Sequence, residues 1–168
     1  MKIFMTFIMG FLFSISAVTA NDENADLLGV IGPEQLQEAP YSEWYNKSAG
    51  EYEVDKASLA DLDALMQGVE VKVVMGTWCH DSKREVPRFY KIINGHNANI
   101  EMIALDRNKQ APNGEIDGMG ITNTPTFIFY KNGKELNRIV ETPRESLEKD
   151  TIKILNGEAY RHSKMASE

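Results

Sequence analysis

The chain has a single cysteine in 168 residues, Cys79. An internal disulfide is excluded, so the fold must rest on its apolar core. Cationic residues are scarce too. Lys and Arg number 18 against 25 Asp and Glu, for a formal net charge of −7. That balance argues against nucleic acid and anionic membrane as partners. There are three histidines, and nowhere do Cys, His and carboxylates cluster at ligand spacing. No metal site and no cofactor is expected. Beyond residue 20 no apolar run reaches the ~20 residues a membrane helix requires, so no stable membrane insertion is expected once the first segment is removed.

That first segment holds the one long apolar run. Lys2 precedes the nearly all-apolar Ile3 to Leu12, and Ser14 to Ala20 turns small and polar. Val18-Thr19-Ala20 fits the small-x-small rule of signal peptidase. Residues 1–20 read as a signal peptide cleaved after Ala20, which predicts a periplasmic or secreted protein. No cysteine follows the run, so no lipoprotein anchor is expected.

The remainder divides into an extension (21–54), one domain (55–156) and a tail (157–168). The start of the extension is polar and turn-rich, with Gly29, Gly32 and Pro33, and reads as a loosely packed leader. Tyr41, Trp44, Tyr45 and Tyr52 should pack on the domain. Asp55 should cap a helix running to about Gln67, with Gly68 as its stop. Val69 to Gly76 is a β-branched run suited to a buried strand.

A helix is predicted from near Cys79 to Asn94. Val86, Phe89, Tyr90 and Ile93 form its apolar face, and Pro87 should kink it. Ile100 to Leu105 is another strand, and Asp106 to Gly120 is loop or short helix. Thr126 to Tyr130 and Glu135 to Glu141 are strands joined by an Asn132-Gly133 turn. Thr142-Pro143-Arg144-Glu145 reads as a capping box for a last helix ending at Asn156, and the tail as frayed. The order predicts an α/β domain: a mixed central sheet with helices on both faces.

Chemistry concentrates in Trp78-Cys79-His80-Asp81-Ser82, at a strand-to-helix junction. A thiolate is the nucleophile of disulfide exchange, and free N–H groups at a helix start stabilise it. His80 adds positive charge when protonated, whereas Asp81 repels a thiolate. Trp78 shields one side of the thiol or is plain core. Ser82 bonds either the sulfur or nearby backbone. Arg84 is a solvated helix residue or an attractant for an anionic substrate.

The strand leading into Trp78-Cys79-x-x-Ser82, the helical Pro87, and Thr124-Pro125-Thr126 opening a strand with an Asn-Gly hairpin resemble the thioredoxin superfamily. Closer in, Trp-Cys-x-Asp-Ser is similar to bacterial exported thioredoxin-like proteins with a single active-site cysteine. The resemblance implies a thioredoxin-like three-layer sandwich. It also implies a cis-Pro125 facing Cys79, with Thr124 and Pro125 contacting substrate beside Trp78, His80 and Asp81. Cys79 and Ser82 are then the catalytic candidates, and the partners are protein or low-molecular-weight thiols and disulfides.

Three departures from ordinary thioredoxins stand out. Ser82 replaces the resolving cysteine, Val73 stands for a buried acid, and Met102 stands for its lysine partner. A monothiol that needs an external resolving thiol is the leading expectation. The alternative is a non-catalytic peptide-binding module. A glutathione-held iron–sulfur carrier is disfavoured, since neither Thr-Val-Pro nor Gly-Gly-Asp occurs around Pro125. The Pro-x-x-x-Thr-x-x-Cys pattern of peroxidases is absent before Cys79.

Overall fold

The computed structural model describes residues 26–96 and 98–165, and the signal peptide expected over 1–20 lies outside the described residues. In chain order the elements are β1 (Gly29–Ile31), α1 (Ser42–Glu51), α2 (Leu62–Leu65), β2 (Val69–Met75) and α3 (His80–Ile93). They continue with β3 (Asn99–Ala104), β4 (Thr126–Lys131), β5 (Lys134–Val140) and α4 (Leu147–Leu155). The strands form one mixed sheet in the order β1-β3-β2-β4-β5. Only β2 and β3 run parallel. The fold is mixed α/β, as the alternation of elements predicts.

The strands sort their side chains by period two. Val69, Val71, Val73 and Met75 of β2 join Phe127 and Phe129 of β4 in the main core. Leu62, Val86, Phe89, Leu147 and Ile154 bring the helices onto that cluster. The Phe89 ring lies 4.4 Å from Phe127, centroid to centroid. On the opposite face, Lys72 pairs with Glu101 and Glu70. There Val74, Ile103 and Leu105 are covered by Ala111, Ile116, Met119 and Ile121. The outer layer on this face is thus built of turns, the loop form of the two expected over residues 106–120. Gly114, Gly118 and Gly120 all adopt positive φ in that segment, which a helix does not admit.

Four local expectations are corrected. First, the leader is integral to the fold. β1 pairs antiparallel with β3, Leu36 is fully buried, and α1 packs on α3. Leu36 supplies apolar area that the turn-rich spelling conceals, while Tyr45 packs on the domain as expected. Second, the helix expected from Asp55 is a run of turns with only Leu62–Leu65 helical. Asp55 does cap, its Oδ1 accepting from the Ala57 and Ser58 amides, but it caps a turn.

Third, the last helix starts later than the capping-box spelling predicts. Ser146 is its N-cap, with Oγ accepting from Lys149 N–H. Buried Asp150 accepts from the Arg144 and Glu145 amides instead, holding that stretch as a loop. Fourth, the tail is docked. Tyr160 donates its hydroxyl to Asp150 (2.8 Å), Asn137 donates to Tyr160 O, and Ser163 donates to Val140 O. The Asn132-Gly133 turn stands as expected, with both residues at positive φ.

Candidate thiol site

β2 ends at Met75, and the chain turns through Gly76-Thr77-Trp78 before α3 begins. Cys79 is the N-cap of α3, extended at φ −83° and ψ 126°. Its N–H donates to Gly76 O, and its carbonyl accepts from Lys83 N–H, both at 3.0 Å. The amides of His80, Asp81 and Ser82 have no carbonyl one turn earlier to serve. The half-buried sulfur therefore sits at the positive end of a 14-residue helix. Pro87 lies within this helix without ending it.

The turn has its own packing logic. Trp78 folds back so that its indole lies on Gly76, and its Nε1–H donates to Leu105 O at 2.9 Å. A Cβ on residue 76 would meet the Trp78 ring at 2.6 Å. Gly76→Ala is therefore expected to expel the indole and to cost about 1–3 kcal/mol. A lower denaturant midpoint with altered tryptophan fluorescence would show it. An unchanged midpoint and spectrum would refute the packing account. Buried Thr77 ties the turn to the segment that leads into β1. Its Oγ1 accepts from Leu27 N–H (3.2 Å) and donates to Asp26, which also pairs with Arg107.

The facing wall is the Thr124–Pro125 loop, whose peptide bond is cis. The Cys79 thiol donates to Thr124 O at 3.2 Å. Both wall residues are buried. Pro125 O accepts from Glu141 N–H (2.8 Å), and the Glu141 side chain accepts from Asn123 Nδ2 (2.7 Å). Lys164 of the tail closes the ring by pairing with Glu141. That contact raises the lysine pKa above its ordinary value, and the Asp81 charge adds to the shift. The tail therefore reaches the rim of the thiol site.

Trp78, Cys79, Thr124 and Pro125 are thus brought together. His80 is exposed on the first turn of α3, and Asp81 is held by Arg84 (2.6 Å). Arg84 also bonds Glu85 (2.6 Å), so this residue is committed within its own helix. Ser82 is fully buried, and its Oγ accepts from Gly76 N–H at 3.2 Å. Of the two roles open to it from sequence, it takes the backbone one. Val73 and Met102 are direct register partners and both are buried. An apolar pair fills the position beneath the site.

A family model described as Thioredoxin matches residues 49–153. The chain belongs to the thioredoxin family. It is 33% identical over 104 residues to a curated protein named Thioredoxin from Gallus gallus, covering 58% of this chain and 93% of that protein. The thioredoxin match includes β2, α3, the Thr124–Pro125 loop and most of α4. Strand β1 and most of α1 precede it.

Thr77, Asn123, Glu141 and Lys164 went unseen from sequence. Thr77 and Asn123 carry no pattern, since each acts through hydrogen bonds to a distant segment. Glu141 and Lys164 lie 23 residues apart in the chain, and only the docked tail unites them.

Proposed function

We propose that this protein is an exported monothiol of the thioredoxin family that exchanges disulfides through Cys79. One observation carries the reading: a half-exposed thiol at a helix N-terminus bonds the carbonyl of buried Thr124 in the facing Thr124–Pro125 loop. The Cys79 thiolate attacks a disulfide R–S–S–R′. The bond from Cys79 to the R sulfur forms, and R′S⁻ leaves and takes up a proton. Loss of the S–H frees Thr124 O to accept from an amide of an extended peptide, as in strand addition. With Ser82 at the next turn no internal thiol ends the adduct. A second, external thiol attacks it, yielding R–S–S–R″ and free Cys79. Export rests on the pattern of residues 1–20 and the cleavage motif ending at Ala20.

The test is adduct trapping. Wild-type protein incubated with a peptide disulfide should gain one peptide by mass, released on adding reductant, whereas Cys79→Ala should gain none. Equal labelling of both proteins, or none of either, sinks the proposal.

A second reading is a non-catalytic peptide-binding module built on Thr124, Pro125 and Trp78. The apolar Val73–Met102 pair and the backbone duty of Ser82 favour it, because neither serves proton or thiol transfer. It requires peptide binding to survive Cys79→Ala with no adduct on wild type.

A further inference from the structure

A shallow cavity of about 290 Å3 lies between α1 and α3, immediately beside the thiol turn. Ser48 on α1 donates to Arg84 O at 2.6 Å and fixes the two helices together. Most of α1 lies outside the segment shared with thioredoxin. The α1 wall of this groove thus lies largely outside the thioredoxin match, and the groove is separate from the Thr124–Pro125 wall.

Its charge runs against that of the molecule. Lys47, His80, Lys83, Arg84 and Arg88 line it, with Glu51 as the one acid in the lining. The chain as a whole carries −7. Arg84 is neutralised by Asp81 and Glu85, and Arg88 lies 3.8 Å from Glu85. Lys83 instead stands 6.0 Å over the Trp44 ring, and Lys47 is exposed on the facing helix. Among the described residues neither lysine has a carboxylate partner, so their charge is available to a ligand.

His80 joins this groove to the site, being both a lining residue and the neighbour of Cys79. From His80 to Arg88 an α-helix rises about 12 Å. An extended polypeptide covers that length in about four residues. Residues adjoining a cysteine that meets Cys79 are therefore within reach of Lys83 and Lys47.

We infer that the α1–α3 groove binds an acidic stretch of the partner polypeptide within about four residues of its reactive cysteine. The inference rests on the exchange reading for what brings the partner to Cys79. A protein segment fits better than nucleic acid. The groove is short, and the chain's net charge of −7 repels a long polyanion.

The test uses three synthetic peptides, each with one cysteine as its nitrothiobenzoate mixed disulfide. Positions two to four from that cysteine are Asp and Glu, Asn and Gln, or Lys. Attack by the Cys79 thiolate on the peptide sulfur forms the protein–peptide disulfide and expels the coloured thiolate. At low salt the acidic peptide should react about 10-fold faster than the amide peptide, and salt at about 0.5 M should erase the difference. The Lys47→Glu, Lys83→Glu double variant should invert the order. Net charge alone would make the acidic peptide the slowest, so that outcome overturns the inference. A preference that survives the double variant overturns it as well.

A binding arm separates the two readings: Cys79→Ala protein with labelled peptides carrying serine for cysteine, followed by anisotropy. Equal reactivity of all peptides removes the groove and leaves exchange. Selective, lysine-dependent binding without any reaction removes exchange and leaves the groove. Displacement of the acidic peptide by a single-stranded oligonucleotide more readily than by unlabelled peptide overturns the choice of a protein partner.

Discussion

Ser82→Cys is expected to convert an adduct-forming protein into one that turns over. With dithiothreitol absent and a millimolar monothiol present, release of the peptide from Cys79 should accelerate by about 100-fold, because an internal thiol one helical turn away acts at an effective concentration far above the external one. The structure supplies the placement. Residue 82 is fully buried in the first turn of α3, and its Oγ points back to the Gly76 amide at the base of the Cys79 turn. Sulfur is a weaker acceptor than oxygen, so the Gly76 N–H loses about 1 kcal/mol of bonding, which the fold tolerates.

The Val73–Met102 pair limits the gain. It offers no ionisable group to take the proton of the buried thiol that Ser82→Cys introduces. A further Val73→Asp change in the Ser82→Cys background should raise turnover again at pH 7 while lowering the urea midpoint. Single-turnover release, monitored by mass and by peptide fluorescence, measures both effects. The oxidised Ser82→Cys protein should also lose two hydrogens as a disulfide forms between positions 79 and 82. If the adduct on Ser82→Cys persists as long as on wild type, residue 82 is not within reach of the sulfur, and the site is not a dithiol site with one member replaced.

The parts of this site that were legible in the sequence are those written in contiguous residues. Trp78-Cys79 after a β-branched run places the thiol at a helix start, because strand and helix periods change there. Thr124-Pro125-Thr126 before an Asn-Gly turn places the facing wall, because the hairpin fixes where β4 begins. The resemblance sets Val73 and Met102 at the positions of a partnered acid and lysine, and the sheet pairs them directly.

What could not be read depends on pairings between distant segments. β1 has only three residues, too few for a periodic signal, and exists because Gly29–Ile31 finds Met102–Ala104. The docking of the tail depends on Tyr160 meeting Asp150 and Lys164 meeting Glu141, and neither pairing leaves a trace in local sequence. Asp150 shows the same in reverse. A buried carboxylate taking the Arg144 and Glu145 amides overrode a good local capping box.

Alkaline pH should unfold this protein well before it affects an ordinary acidic domain, because three tyrosines keep protons that the unfolded chain gives up. Burial pushes the Tyr45 phenol up from 10.0 to about 12. Tyr52 is raised first by burial, then by its hydrogen bond to Glu148 (2.8 Å). Tyr160 is raised likewise, by burial and then by Asp150. Glu148 and Asp150 are themselves buried, so an ionised phenol would set two negative charges together in the interior.

The sign follows from proton counts. Above pH 10 the unfolded state has lost tyrosyl protons that the folded state retains, so stability falls as pH rises. The contribution is fully present below pH 10 and, for Tyr45, is gone once pH passes about 12. Tyr45 alone accounts for about 1.4 kcal/mol per pH unit in that window. Tyr52 and Tyr160 steepen the fall in the same direction. Urea midpoints taken from pH 9 to 11.5, with tyrosinate absorbance on the same samples, measure it. Unfolding should coincide with the rise in absorbance. Tyr45→Phe should flatten the slope even where it lowers stability at neutral pH. A midpoint constant across that range, or a slope untouched by Tyr45→Phe, would show that these phenols titrate in the folded protein as they do in water.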